Sequence, residues 1–212
     1  MTEILIVEGL GMAELEDFKR TLLAEDGVEI VSSQYLFSSN VWFFAQKFSN
    51  GKQYEQYDAF KAYFSKRLQL PTNDVAIVGS AKTGFSLAPA KEFSVFHENS
   101  DIDIAIVSPR IFRDSWDAYL QLKSENRLPD QKSIARDIFR RFVTLKNPPA
   151  GSKFFEDWSK LVDPFKKDLQ LSFGMPNEIN YRIYKSWADA KIYHNDGLAE
   201  LAKKLGKIDD NN

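Results

Sequence analysis

The 212-residue chain contains no cysteine, which excludes a disulfide framework and a thiolate metal site. Histidine is nearly as scarce. His97 and His194 are the only two, too few for a His-rich zinc centre and a poor basis for a histidine-dependent triad. No apolar run approaches the ~18 residues of a membrane-spanning helix. No charged-then-apolar leader opens the sequence, so a soluble, cytoplasmic protein with no membrane partner is expected. Internal repeats and low-complexity tracts are also missing. The formal net charge of -2 provides no general attraction to nucleic acid.

Apolar and aromatic residues are plentiful. Hydrophobic content is 43% and aromatic content 14%, with 17 Phe, which indicates a folded globule with aromatic packing between helices and sheet. Charge is unevenly spread. Residues 132–167 hold nine Lys or Arg against four Asp or Glu, whereas residues 1–70 hold seven against ten. The basic stretch is the one candidate phosphate-facing surface outside the central motif.

The central motif runs from Val75 to Val107. Its two ends, Val75–Val78 and Ile102–Val107, are short Val/Ile-rich runs that fit buried strands. The first leads into Gly79-Ser80. The second opens with Asp101-Ile-Asp103, whose carboxylates project from one strand face, two positions apart. Two adjacent carboxylates repel, and a divalent cation such as Mg²⁺ removes that cost. Gly79 permits close backbone approach to a phosphate, and Ser80 adds a hydroxyl. If the strands are antiparallel neighbours, Gly-Ser and Asp-x-Asp converge on one site.

This order of strand, Gly-Ser, strand and Asp-x-Asp resembles the polymerase-β-like nucleotidyltransferase superfamily, through Gly79, Ser80, Asp101 and Asp103. Gly84 and Ser86 are similar to a Gly and a hydroxyl residue that often follow in members handling nucleoside triphosphates. The link from Ser80 to Asp101 is longer than usual, with LAPAKEFSVFHEN inserted. The resemblance implies an α/β (α+β) fold, a mixed sheet with helices packed on it. It also implies metal-dependent transfer of a nucleoside monophosphate from an NTP or dNTP, ATP among them, to a hydroxyl on a nucleotide, nucleic acid or protein. Asp101 and Asp103 would hold two Mg²⁺ (or Mn²⁺) ions, and Gly79, Ser80, Lys82, Gly84 and Ser86 would hold the nucleotide. A third carboxylate usually stands on a later strand. Glu178, opening EINYRIY, is the candidate, with Asp168 in DLQLSF the competitor. The compact, cysteine-free chain is nearest in character to bacterial antiviral-defence and toxin–antitoxin members.

Two rivals stand beside this reading. A non-catalytic antitoxin or regulatory module could keep the fold without turnover. A hydrolase using Ser80 lacks a Gly-x-Ser-x-Gly elbow and a supply of histidine.

The remaining pattern places one domain over 1–212, with an accessory N-terminal layer (1–52), a catalytic core (53–146) and C-terminal helices and strand (147–212). Strands are expected in Met1–Val7 and Val28–Val31, and a helix over Ala13–Leu23; Val41–Phe48 is a second apolar run, closed by the turn dipeptide Asn50-Gly51. Gln53–Leu70 reads as an amphipathic helix with Tyr57, Phe60, Phe64 and Leu68 inward. Helices are also expected over Phe112–Ser124 with Trp116 and Leu120 inward, over Lys132–Lys146, over Phe154–Phe165 with Trp158, Leu161 and Phe165 aligned, and over Ala188–Leu205. In Lys132–Lys146, Ile134, Ile138, Phe142 and Leu145 would be buried. Arg136, Arg140 and Arg141 would face a polynucleotide or oligonucleotide acceptor.

Overall fold

The structure, a computed structural model, describes residues 14–48 and 51–209. The strand expected in Met1–Val7 lies outside them. The described residues form a mixed α/β fold around a four-stranded sheet of β1 (Val75–Val78), β2 (Ile102–Val107), β3 (Phe142–Thr144) and β4 (Ile179–Tyr184). The strand order is β1-β2-β4-β3. β1 runs antiparallel to β2, β2 parallel to β4, and β4 antiparallel to β3.

The helices, in chain order, are α1 (residues 14–22), α2 (Gly27–Val31), α3 (Trp42–Lys47), α4 (Lys52–Leu68), α5 (Ser80–Thr83), α6 (Pro109–Ser124), α7 (Gln131–Phe139), α8 (Lys153–Val162), α9 (Phe165–Phe173) and α10 (Trp187–Asp209). α6 starts cleanly because Pro109 fits its first turn and the Ser108 hydroxyl accepts from the Ile111 N–H at 3.2 Å.

Alternation along the strands separates two sheet faces. Ile77, Ile104, Ile106, Tyr181 and Ile183 enter the main core, against Phe60 and Phe64 of α4, Trp158 of α8 and Phe165 of α9. The expected inward stripe Tyr57, Phe60, Phe64, Leu68 is buried in full. The other face carries Val78, Ala105, Val107, Phe142 and Tyr184, and Ala190 of α10 packs on it. Asp103, Asn180 and Arg182 share this second face, through the pairs Val78–Asp103, Asp103–Asn180 and Ala105–Arg182. A smaller cluster joins Phe18 of α1 and Leu36 to Leu198 and Leu201 of α10.

Several local expectations give way to tertiary packing. Val28–Val31 is not a strand but belongs to α2, which runs on through a π-helical turn, Ser32–Leu36. The apolar run Val41–Phe48 is also helical, over α3. Val41 and Phe44 are three apart and Phe44 and Phe48 four apart, which suits a helix face, and the Phe44 and Phe48 rings stack at 5.8 Å. The helix expected over Lys132–Lys146 ends at Phe139. Arg141 takes φ 73°, and Phe142–Thr144 pairs with β4. Phe142 and Leu145 are buried as expected, but on and just past that strand, while Ile134 and Ile138 are only partly buried. In α6 the inward stripe is Ile111, Ser115, Ala118, Tyr119 and Leu122, leaving Trp116 38% and Leu120 44% exposed. Phe154–Phe165 divides into α8 and the start of α9, with Leu161 outward.

Candidate functional site

Gly79 ends β1 and turns the chain into α5 at φ 69°, ψ -155°, a region essentially reserved for glycine. A Cβ at this position would stand 2.5 Å from Asp103 Oδ2. The Gly-Ser turn and the second Asp of Asp-x-Asp are therefore in contact, as their placement on antiparallel neighbours predicts.

The Asp103 carboxylate is held from the β4 side. Its Oδ1 accepts from Asn180 Nδ2 at 2.6 Å and from Arg182 Nε at 3.0 Å. The Arg182 guanidinium also donates to the Tyr193 hydroxyl at 2.8 Å and lies over the Phe142 and Tyr193 rings at 5.4 and 5.7 Å. Burial works against its charge, but Asp103, with the Tyr193 and Tyr184 hydroxyls, outweighs that and raises the Arg182 pKa above its ordinary range. Burial, with Arg182 nearby, pushes His194 down to about 3, so its imidazole is neutral near pH 7.

Asp103, Arg182, Tyr193 and His194 line one cavity of about 420 Å³ with Gly79, Ser80 and Ser86. Arg140 and Arg141 at the start of the β3 edge also line it, as does Phe139, 88% exposed. Arg141 is engaged by Asp189 at 3.0 Å. Arg140 and Lys91 line the cavity with no carboxylate partner among the described residues. α10 contributes Asp196 and Glu200, so the lining carries both signs of charge.

Other expected site residues lie elsewhere. Lys82 is 3% exposed and turns away from the cavity, donating to Ser38 O at 2.6 Å, Ser38 Oγ at 3.3 Å and Asn40 O. Burial lowers its pKa to about 8. It is a clamp on the 38–40 segment rather than a phosphate ligand. Gly84 takes φ 87° beside the Trp42 indole, which a Cβ would strike at 2.7 Å, so its role is the turn. Arg136 bonds Ser133 Oγ at 2.8 Å and is absent from the cavity wall, so Arg136, Arg140 and Arg141 do not form one acceptor face. Asp168 sits in helix α9, bonded to Tyr63 and Arg67.

The two-metal centre is not assembled. Both Asp101 oxygens accept from Lys146 Nζ, at 2.9 Å each, across the sheet from just past β3. Glu178 adjoins the start of β2 through its carbonyl, which accepts from the Ile102 N–H at 2.8 Å, but its exposed carboxylate pairs with Lys166. Among the described residues no three His, Cys, Asp or Glu are placed to share an ion. The donor set as folded, with one cation already on each motif carboxylate, does not fit a pair of Mg²⁺ ions.

No family model, curated protein or solved structure matches this chain. The chemistry therefore rests on the cavity itself. Arg182 lines it and, with Asn180, holds Asp103, while Lys146 holds Asp101; none of the three was in the sequence-derived set. The alternation of EINYRIY already placed Asn180 and Arg182 on one face with Glu178, which was the available signal.

Proposed function

We propose that this cavity binds the phosphate groups of a nucleotide, and that the chain is a non-catalytic, nucleotidyltransferase-like binding or regulatory module. One observation carries the reading: Asp103, in contact with Gly79, is neutralised by the guanidinium of Arg182. In the metal-dependent arrangement a divalent ion supplies that neutralisation. Arg140 and Lys91 provide cationic groups for phosphate, Ser80 and Ser86 provide hydroxyls, and the exposed Phe139 ring offers a face on which a base can stack.

Calorimetric titration with each ribonucleoside triphosphate, first in EDTA and then in Mg²⁺, tests the reading. Binding is expected in EDTA, at least tenfold weaker in Arg140→Ala, and unchanged in Glu178→Gln. Absence of binding under both conditions refutes it.

A second reading, nucleotidyl transfer to a hydroxyl acceptor, is favoured by the Gly79–Asp103 contact, which brings Gly-Ser and Asp-x-Asp together. Pyrophosphate release that depends on Mg²⁺ and is lost in Asp101→Asn would select it over the binding module.

A further inference from the structure

A second cavity, of about 510 Å³, opens beside the outer edge of β1, where Val75 and Ala76 form part of its wall. Its size falls within the range of small-molecule sites. Its composition differs from that of the first cavity, with which it shares only Leu36. Phe37, Tyr57 and Trp187 supply aromatic wall, with Phe37 and Trp187 packed edge to face at 6.0 Å. Hydroxyls come from Ser33, Ser38 and Ser39.

The charge in this cavity is of one sign. Among the described residues, Lys61 and Lys191 are the only charged side chains in its lining, and no carboxylate lines it. Lys61 Nζ stands 5.0 Å over the Tyr57 ring, so its ammonium and that aromatic wall are adjacent. The lysines pair with Asp58 and Glu29, whose side chains are 71% and 58% exposed. Such exposed pairs are weak, and a ligand anion sheltered by the cavity can take over the ammonium groups.

We infer that this cavity is a ligand site for a small aromatic anion, its ring against Phe37, Tyr57 and Trp187 and its acidic group at Lys61 and Lys191. The site stands independently of nucleotide binding in the first cavity. It nevertheless adjoins that cavity through two contacts. The Phe37 ring packs at 5.7 Å on His194, which lines the first cavity, and Ser38 accepts from Lys82 in the helix that follows Gly79.

The probe is 1-anilinonaphthalene-8-sulfonate, titrated by fluorescence into the full chain, beside its uncharged analogue N-phenyl-1-naphthylamine. One saturable site is expected. Ser39→Trp, at the exposed mouth, should weaken the sulfonate tenfold or more, while Ser86→Trp in the first cavity should leave it unchanged. The double variant Lys61→Met/Lys191→Met should weaken the sulfonate at least fivefold and the neutral amine less than twofold. Circular dichroism and melting establish that each variant is folded, and the lysine pair decides if Ser39→Trp is not. Absence of saturable binding, binding indifferent to Ser39→Trp in a folded variant, or equal losses for both probes in the lysine variant would overturn the assignment.

Discussion

Arg182 in the first cavity engages a carboxylate, a phenol and two ring faces. Removing it leaves Asp103 charged in a pocket where its side chain is only 16% exposed. Arg182→Met should therefore destabilise the fold by about 3 kcal/mol, and Asp103→Asn should also lower stability by removing the partner of a buried guanidinium. The sequence alone suggests the reverse for Asp103→Asn, because it shows a repelling Asp pair and not the cation between the strands. Thermal melting of the two single variants and the double variant measures the coupling. Additive losses would show that the pair does not act as a unit. Lys82 gives a pH signature. Its folded pKa, about 8, lies below the ordinary 10.5, so the unfolded chain holds the proton more tightly between these values. Stability should consequently rise with pH from about 8 to 10.5 at this group, and that rise should be missing from Lys82→Met. The same variant leaves the Ser38 and Asn40 carbonyls without their donor and should cost about 1–3 kcal/mol at pH 7. Chemical denaturation across pH 7–10.5 measures both effects.

Among elements, the β1–Gly79–α5 turn tolerates the least change. Gly79→Ala places a Cβ against Asp103 in a backbone region costly for any other residue, by about 1–3 kcal/mol before the clash is counted. It should lower the melting temperature and abolish nucleotide binding, whereas Ser80→Ala should reduce binding with little loss of stability. Melting and titration of the two variants together check this. This element and its partner were legible in the sequence because Val75–Val78 and Ile102–Val107 are β-branched runs bounded by turn and charged residues. β4 was legible for its alternation, and α4 for its phenylalanine stripe. β3 was hidden, because Phe142-Val-Thr follows an amphipathic helix without a Gly or Pro to mark the change. Only pairing with β4 fixes it as a strand. The four-residue run Val28–Val31 and the aromatic run of α3 fit either periodicity, and packing on α10 and α4 decided them. The site was half legible. Gly79, Ser80 and Asp103 meet as their spacing implies, but a motif names its carboxylates without naming the cations that reach them from strands far along the chain.

At the scale of the whole molecule, the 32–40 segment, which forms much of the second cavity's wall, reaches the first cavity at Leu36. Lys82 fastens that wall from one side, and the Phe37–His194 ring contact lies across it. β4 unifies the rest. It lies between β2 and β3, although both are synthesised before it, and the chain must pass through α6, α7, α8 and α9 before β4 returns beside β2. During synthesis the β1–β2 hairpin and the β3 segment thus wait as separate pieces, each with an unpaired edge. No local contact can join them early, because a parallel neighbour requires a long crossover. Asp103 waits as well, a bare carboxylate until Asn180 and Arg182 arrive on the incoming strand. The ribosome must therefore deliver the cavity's electrostatics and the sheet's central seam in the same stretch of polypeptide. A nascent chain stalled before β4 has neither.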